Sequence, residues 1–309
     1  MDIALAVEHL SLGFMDEDAL ALMVRDVSFT LKPGKMLAVV GESGSGKSLS
    51  ALSILQLLPS NARVGQRSAV SLGGEDLLEL PAKTMQSIRG GKVGMVFQEA
   101  LDAFNPVKRL GFQMGEVLRQ HCGLRGHALH KRGIALFEEV GLDEAERCWD
   151  AFPHQLSGGM RQRAMIAMAL AGDPTFLIAD EPTTALDVTL QAQVMALLSQ
   201  LKRDRHMGIL FITHDLPLVA KHADTVMLMR HGKILEKQEA KAFFQSPKTD
   251  YGRTLLAALP SGECRLSNKP SKPKPLLLKA QGMEVCFQSS RGVVWGVDGV
   301  DMFLAAGET

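Results

Sequence analysis

A glycine-rich turn between an apolar run and a helical run carries the residues best suited to chemistry. Residues 41–48 fit the pattern G-x-x-x-x-G-K-S. Glycines let successive backbone N–H groups face one anion, and the positive end of the following helix points to the same place. In this pattern Lys47 reaches the β- and γ-phosphates of a nucleotide, and the Ser48 hydroxyl binds Mg²⁺. The predicted phosphate-binding residues are Gly41, Glu42, Ser43, Gly44, Ser45, Gly46, Lys47 and Ser48.

Two acids follow a second apolar run. Residues 176–179 are typical of a buried strand, and Asp180 and Glu181 come directly after them. In open α/β folds the ligand lies at the carboxyl ends of the strands. Asp180 is therefore predicted to hold Mg²⁺, and Glu181 to polarise an attacking water. An acidic helix cap would account for one of these carboxylates but not for both.

A third segment joins a capping serine to two glycines at a helix start. Ser157 can cap the helix, while Gly158 and Gly159 keep side chains away from its first N–H groups. Locally this is a second phosphate-binding helix end. One nucleotide does not need two such ends from one protomer, so we expect this end to serve a partner's nucleotide. Taken alone, the motif leaves a simple helix cap as the alternative.

These motifs need a sheet that brings them together. Short apolar runs predict strands, and longer periodic runs predict helices. Strands are predicted at 35–40, 92–97, 175–179, 208–213 and 225–230. Helices are predicted at 48–58, 110–124, 128–140, 159–171 and 190–204. Their alternation indicates an α/β fold on a largely parallel sheet.

Composition excludes several classes of protein. The 309 residues carry 34 basic and 34 acidic side chains, which argues against a broadly basic nucleic-acid binder. No nucleic-acid partner is expected. No apolar run reaches the roughly 18–20 residues that cross a bilayer, and the N-terminus lacks a basic signal region. Four cysteines without a C-x-x-C pair predict thiols in a reducing cytosol: Cys122, Cys148, Cys264 and Cys286.

Residues 276–309 repeat residues 3–36 without a gap, at a constant offset of 273. The two copies share apolar positions and the glycine of a closing turn, Gly34 in one and Gly307 in the other. Between them, prolines at 260, 270, 273 and 275 indicate an extended linker. We expect a complete domain over 1–258, a Pro-rich linker over 259–275 and the truncated start of a second domain over 276–309.

The three motifs occur together along the chain, in the order of residues 41–48, 156–163 and 180–187, and they resemble the nucleotide-binding domain of ATP-binding cassette (ABC) proteins. The resemblance covers about residues 3–258 and implies an ABC-type P-loop NTPase fold, α/β in class. That fold has a mixed, mainly parallel sheet core, an antiparallel β subdomain and a helical subdomain at about 100–153. The residues 157–159 are then the signature motif that contacts the nucleotide of a facing domain.

The same resemblance implies four further site residues. Gln98 follows a predicted strand as the glutamine that senses Mg²⁺ and the attacking water. His214 is the switch histidine that would hold the γ-phosphate. Asp187 is the D-loop aspartate. Phe14 stands where the family places an aromatic residue, usually tyrosine, against adenine, and phenylalanine can still stack.

Three further segments resemble one group of ABC ATPases in particular. Residues 97–106, 152–156 and 250–260 are similar to oligopeptide, dipeptide and nickel importer ATPases, and the restarted domain resembles fused tandem ATPases. The implied activity is ATP hydrolysis, with ATP and Mg²⁺ bound, that powers a bacterial importer of peptides or a related solute such as nickel. A cysteine-rich extension is common in this group. With only Cys264 in that position, no iron–sulfur cluster is expected.

The resemblance also implies partners and a location. The partners are a second nucleotide-binding domain, as homodimer or heterodimer, membrane permease subunits and, indirectly, a solute-binding protein. The location is the cytoplasmic face of the bacterial inner membrane, as a peripheral protein. The transported solute is not determined by the ATPase, because specificity belongs to the binding protein and the permease.

An alternative from another class stays open. The chain could be a truncated, frameshifted or split-gene product that binds ATP but drives nothing, because the second copy stops before any phosphate-binding pattern. A GTPase is disfavoured because Asn268-Lys269 runs into Pro270-Ser271 rather than into x-Asp. A DNA-repair ABC ATPase is disfavoured by the lack of a long coiled coil or zinc pairs.

Overall fold

The computed structural model describes residues 3–16, 19–100, 103–184, 186–259, 275–289 and 292–306. The chain divides into two compact units, residues 1–259 and 260–309. The predicted linker residues 260–274, with Cys264, lie outside the described residues, as do residues 101 and 102 of the predicted helical subdomain. Among the described residues no helix has both the length and the apolar character needed to cross a bilayer.

The first unit alternates strands and helices along most of its length. Its strands are β1 Leu5–Asp16, β2 Ala19–Leu31, β3 Met36–Val40, β4 Ala62–Val64, β5 Ala69–Leu72, β6 Glu75–Asp76, β7 Val93–Val96, β8 Phe176–Asp180, β9 Gly208–Ile212, β10 Thr225–Arg230 and β11 Lys233–Glu239. Its helices are α1 Lys47–Ile54, α2 Ala82–Ile88, α3 Leu110–Cys122, α4 Gly126–Glu139, α5 Ala145–Asp150, α6 Gly158–Leu170, α7 Val188–Asp204, α8 Leu216–His222, α9 Ala240–Gln245 and α10 Asp250–Ala257.

Six strands form the central sheet, in the order β11-β10-β3-β9-β8-β7. β10, β3, β9, β8 and β7 pair in parallel, and β11 is antiparallel at the edge. The five parallel strands are the five that the sequence predicts, shifted by no more than one residue at either end. They could be recognised because β3, β8 and β9 are buried along their whole length, which gives continuous apolar runs. The α/β prediction is confirmed.

Two further layers cover this sheet. An antiparallel sheet in the order β2-β1-β5-β6, with β4 also paired to β1, packs with α1 against one face in a single apolar cluster. On the other face, α6 and α7 share a second apolar cluster with the helices of residues 110–150. In that region α3, α4 and α5 pack on one another. The mixed architecture implied by the sequence is therefore present in the first unit.

The first helix ends earlier than its apolar pattern predicts. The run predicts a helix over 48–58, whereas α1 stops at Ile54. Gln56 has a left-handed backbone with φ of 50°, and its side-chain amide donates to the carbonyls of Leu77 and Leu80 at 2.5 and 3.1 Å. Tertiary contacts with a distant segment thus replace the last helical turn.

The described residues of the second unit form one hairpin, with β12 at Leu276–Ser289 and β13 at Gly292–Ala305. Its strand pairs match those of β1 and β2 once 273 is subtracted from each residue number. Examples are Leu278–Leu304 for Leu5–Leu31 and Val285–Val297 for Leu12–Val24. Left-handed residues also coincide, with His9 and Asp26 in one hairpin and Gly282 and Gly299 in the other. The sequence repeat is therefore also a repeat of strand pairing.

Candidate functional site

The glycine-rich loop leaves the carboxyl end of β3 and enters α1, and close contacts fix its path. A side chain at Gly41 would overlap the carbonyl oxygen of Met229. The Ser45 carbonyl accepts a hydrogen bond from the Gly232 N–H at 3.2 Å. Gly46, with φ of 95°, lies against Val24 of β2. Glycine tolerates both the left-handed backbone and the close approach. The turn after β10 and the first hairpin together hold the loop.

Lys47, the first residue of α1, directs its side chain back over the loop. Its ammonium group donates to the carbonyls of Gly41 and Glu42, both at 2.8 Å. Burial lowers the pKa of Lys47, and the carboxylates of Glu181, Asp180 and Glu42 oppose that shift. These contacts place the Lys47 ammonium group where it can bind an anionic phosphate.

Ser48 and Asp180 meet at the carboxyl end of the central sheet. The Ser48 hydroxyl donates to Asp180 Oδ1 at 3.0 Å. Asp180 is the last residue of β8 and is buried. Burial raises the pKa of its carboxyl group, and the hydrogen bond from Ser48 and the charge of Lys47 offset this only in part. A buried carboxylate beside a hydroxyl is the kind of oxygen donor set that Mg²⁺ prefers, so the two predicted metal ligands fit that ion.

Glu181 is the residue on which several polar groups converge. It has a left-handed backbone, with φ of 45°, and its N–H donates to the Ile212 carbonyl at 2.9 Å. Its Oε2 lies 3.4 Å from Gln98 Nε2 and 3.5 Å from His214 Nδ1. The Thr184 hydroxyl donates to the same oxygen at 2.9 Å. Backbone strain of this kind clusters at functional sites, where surrounding contacts impose it.

One cleft gathers the central members of the predicted site. Its lining consists of Met23, Ser43, Gly44, Ser45, Gly46, Lys47, Ser48, Leu49, Gln98 and Glu181. Gly41 and Asp180 are buried next to the cleft. Gly41 accepts a hydrogen bond from Lys47, and Asp180 accepts one from Ser48. His214 reaches it through Glu181. Glu42 contributes its carbonyl oxygen, while its carboxylate accepts a hydrogen bond from Tyr251.

The remaining predicted residues do not line this cleft: Phe14, Ser157, Gly158, Gly159 and Asp187. Ser157 caps α6 by accepting from the Met160 N–H at 3.3 Å, and Asp187 caps α7 by accepting from the Leu190 N–H at 2.9 Å. Leu190 also occupies the space that a side chain at Gly159 would need. The predicted signature segment and D-loop aspartate are therefore joined to each other at two helix starts.

Phe14 and Gly158 are less constrained. Phe14 lies on β1, paired with Ala21 of β2 and Ala62 of β4. A side chain added at Gly158 would meet no atom of the described residues within 4 Å. Packing among those residues therefore does not require glycine at this position.

Several contributors to the site have no assigned role in the sequence analysis, among them Leu49, which lines the cleft from α1. Thr184 lies in the acidic motif, and a hydroxyl three residues after Glu181 in a turn is the signal that could have identified it. Met23 lines the cleft, and Gly232 donates to the loop. Neither has a local signal, because both reach the loop through tertiary packing, Met23 from β2 and Gly232 from the turn after β10.

Comparisons with known proteins agree on one family. A family model described as ABC transporter matches residues 24–184. The chain is 44% identical to the peptidoglycan transport ATP-binding protein YejF of Agrobacterium fabrum, over 99% of this chain and 57% of that protein. It is 42% identical to the oligopeptide transport ATP-binding protein OppD of Bacillus subtilis, over 93% of this chain and 81% of that protein. An uncharacterized ABC transporter ATP-binding protein YejF of Escherichia coli is 42% identical over 99% of this chain and 58% of its own length.

The chain thus spans little more than half the length of the two YejF relatives. Among solved structures, the ATP-binding cassette MJ0796 in a dimeric post-hydrolysis state bound to ADP and Pi has a TM-score of 0.69. It is 25% identical and covers 76% of this chain and 98% of its own.

Proposed function

Because this chain belongs to the ABC transporter ATP-binding proteins, we propose that it binds and hydrolyses ATP to power a bacterial importer of peptides or a related solute such as nickel. The observation that carries the proposal is the convergence of Gln98, His214 and Thr184 on one oxygen of Glu181, beside the loop that holds Lys47. Relatives named for oligopeptide and peptidoglycan transport support the peptide class of solute. The family resemblance stated from the sequence is confirmed.

In this proposal the loop binds the phosphates. The N–H groups of residues 41–48 and the ammonium of Lys47 supply positive potential to the β- and γ-phosphates. Ser48 and Asp180, with Gln98, would hold Mg²⁺, which when bound supplies positive charge beside the phosphate oxygens. Phe14 would stack on the adenine ring.

Glu181 is the proposed general base. Its carboxylate accepts a proton from the water that attacks the γ-phosphate. The left-handed backbone and the hydrogen bond from Thr184 fix the direction of that carboxylate, while Gln98 orients the water. His214 is exposed beside Glu181, where it would contact the γ-phosphate.

We assign the second surface to the nucleotide of a facing domain. Ser157, Gly158, Gly159 and Asp187 lie apart from the cleft, and position 158 is a glycine although no atom of the described residues packs there. A bare helix start suits an anion presented by another molecule. The similar cassette MJ0796, bound to ADP and Pi, is dimeric, which supports a second nucleotide-binding domain as the partner, in a homodimer or heterodimer. Closure of that dimer would complete the site.

An apolar groove beside Gln98 supports docking of a permease. Phe97, which precedes Gln98, is 38% exposed, and Leu57 is 37% exposed. These two side chains share the groove with apolar residues of β7, α3 and α6: Val93, Met95, Val117, Met165 and Met168. We propose that a permease segment binds here, against the helical subdomain of about residues 100–153. The chain would then be a peripheral protein at the cytoplasmic face of the inner membrane, with the solute-binding protein as an indirect partner.

We propose that the second hairpin begins a second domain of the same kind. Its strand pairing repeats that of the first hairpin, and both YejF relatives align with 99% of this chain, which includes the hairpin. The domains would then be residues 1–258, a linker over 259–275 and the start of a second cassette over 276–309. No observation on the described residues favours the alternative of a chain that binds ATP without driving transport.

The test compares Glu181→Gln with Glu138→Gln, which removes an exposed carboxylate on α4. Fluorescent ATP analogue binding, ATP turnover and sedimentation are measured for each. Glu181→Gln should retain binding, lower turnover by at least about 100-fold and accumulate an ATP-bound dimer, because general bases contribute about 10²–10⁴-fold. The control should match wild type. Undiminished turnover in Glu181→Gln would count against the assigned base.

The proposed coupling of ATP hydrolysis to solute import needs a separate measurement. Turnover is compared for the chain alone and with the cognate permease in vesicles supplied with binding protein and peptide. Stimulation by peptide-loaded binding protein supports the importer. ATP binding without any stimulation would favour the alternative of a chain that binds nucleotide but does not drive transport.

A further inference from the structure

The single tyrosine of the chain bonds to the phosphate-binding loop from the far end of the first unit. Tyr251 lies on α10, and its hydroxyl donates to Oε1 of Glu42 at 3.0 Å. The two residues are 209 positions apart in sequence. Glu42 is the second residue of the loop, so the last helix of this unit touches the loop directly.

Arg230 holds the tyrosine ring in place. Its guanidinium carbon lies 4.4 Å from the centroid of the Tyr251 ring, a geometry in which a cation is attracted to the ring face. Arg230 Nε is buried and has no hydrogen-bond partner among the described residues. The arginine ends β10, and Met229 and Gly232 on either side of it contact the loop. Loop, arginine and tyrosine thus form one packed group.

The start of α10 is anchored by hydrogen bonds to β11 and within its own first turn. Glu236 of β11 is buried, and its carboxylate accepts from the Thr249 hydroxyl and from the Lys248 N–H, both at 2.7 Å. Thr249 in turn caps α10 by accepting from the Gly252 N–H at 3.1 Å. Tyr251 is therefore presented to the loop from a fixed base.

The hydrogen bond from Tyr251 to Glu42 also affects the position of the Lys47 ammonium group. The Glu42 carbonyl oxygen is one of the two carbonyls that accept from the Lys47 ammonium, at 2.8 Å. Fixing the Glu42 side chain outside the cleft fixes the backbone that aims this ammonium. It also keeps a negative carboxylate away from the place where phosphates would bind, since Glu42 does not line the cleft. Burial and the adjacent Glu42 raise the pKa of Tyr251, so the phenol stays a neutral donor.

We propose that Tyr251, supported by Arg230, is a positioning residue for nucleotide binding, which it serves by holding Glu42 and thereby the phosphate-binding loop. This inference rests on the proposed ATP binding at the loop. It assigns the C-terminal helix of the cassette a part in the affinity for ATP, although that helix contributes no residue to the cleft.

The test is a double-mutant cycle. Tyr251→Phe keeps the ring under Arg230 and removes only the hydroxyl, and Glu42→Ala removes the acceptor. Thr254→Val is the control, since Thr254 lies on the same helix and, among the described residues, its hydroxyl donates only to the Asp250 carbonyl within that helix. Dissociation constants of a fluorescent ATP analogue, KM, kcat and Tm are measured for each variant and for Tyr251→Phe/Glu42→Ala.

Tyr251→Phe should raise the dissociation constant and KM about threefold to tenfold and should leave kcat within twofold. This is less than the full loss of a hydrogen bond to a charged group, because Tyr251 acts on the nucleotide only through Glu42. Thr254→Val should match wild type. In the Glu42→Ala background, Tyr251→Phe should have no further effect. Wild-type affinity in Tyr251→Phe, or an equal loss in both backgrounds, would overturn the inference while leaving the proposed function intact. Failure of the wild-type chain to bind the analogue would overturn both.

Discussion

The two hairpins have the same strand pairing but opposite surroundings. In the first, Leu5 and Val27 are both 0% exposed. Their counterparts 273 residues later, Leu278 and Val300, are 48% and 44% exposed. The first hairpin packs on the central sheet and α1 in one apolar cluster. No described residue of the second unit lies outside its hairpin other than Pro275 and Ala306.

The two hairpins show that a local sequence specifies strand pairing, whereas the surrounding domain supplies burial. Alternation, bulge positions and register are encoded within about 30 residues, because side chains on a strand alternate faces and one residue of slip would reverse them. Burial of the apolar face comes from the rest of the cassette. The first hairpin also supports the phosphate-binding loop, since Val24 lies against Gly46 of that loop.

The largest expected difference in the stability of the first unit is between Val24→Asp and Val297→Asp, which change equivalent positions of the two hairpins. Val24 is fully buried, so an unpaired carboxylate there should destabilise the first unit by at least about 3 kcal/mol and abolish ATP binding. Val297→Asp should change the stability of the first unit by less than about 0.5 kcal/mol. Urea denaturation followed by circular dichroism measures both. Similar losses in the two variants would break the comparison.

Equivalent aromatic residues should differ in ATP affinity. Phe14 and Phe287 occupy the same position in the two hairpins. If Phe14 stacks on adenine, Phe14→Ala should weaken ATP binding by about 1–3 kcal/mol, the range for base–aromatic stacking. Phe287→Ala should leave affinity unchanged. Titration with a fluorescent ATP analogue is the measurement, and unchanged affinity in Phe14→Ala would remove Phe14 from the proposed site.

The first unit carries a buried charge at a cost in stability. Burial raises the pKa of Asp180 in the folded state, so the folded chain binds this proton more tightly than the unfolded chain. The penalty is therefore present at high pH, above the folded pKa, and fades as pH falls toward the unfolded pKa. Asp180→Asn should raise Tm by a few degrees at pH 8, with a smaller gain at pH 5, while ATP turnover is lost.

Thermal denaturation of Asp180→Asn and of wild type at pH 8 and at pH 5 shows whether the gain in Tm is larger at the higher pH. The hairpin of the second unit provides the reference, because Asp298→Asn changes an exposed carboxylate there and should shift Tm at neither pH. A gain for Asp180→Asn that grows as pH falls would contradict the assigned cause of the pKa shift.

The smallest expected effect on the first unit comes from the exposed face of the second hairpin. Phe287 and Trp295 are 62% and 54% exposed. Lysine at both positions should leave the Tm of the first unit unchanged and reduce binding of a hydrophobic dye and self-association, because exposed apolar strands pair with other chains. Dye fluorescence and light scattering report this. An unchanged dye signal would show that this face is already covered.

Much of the fold follows from local patterns. Five parallel strands were predictable because they are buried apolar runs, and the phosphate-binding loop because its glycines, Lys47 and Ser48 are adjacent in sequence. Asp180 and Glu181 were predictable because they follow such a run. The family resemblance then identified Gln98 and His214, whose contacts with Glu181 link positions 83 and 33 residues apart (181 − 98 and 214 − 181).

What the sequence could not predict depends on distant contacts. The early end of α1 depends on Gln56 bonding to carbonyls of residues 77 and 80. The bond from Tyr251 to Glu42 depends on where α10 docks. The left-handed backbone of Glu181 depends on the pairing of its N–H with Ile212 in the neighbouring strand. None of these has a periodicity or a spacing that marks it.

The contact between Gly159 and Leu190 has a mechanical consequence. Leu190 fills the space above Gly159, and its N–H is bonded to the Asp187 carboxylate. The starts of α6 and α7 are therefore packed against each other through Leu190. We expect a displacement of the Ser157 end by a facing molecule to move Asp187 as well.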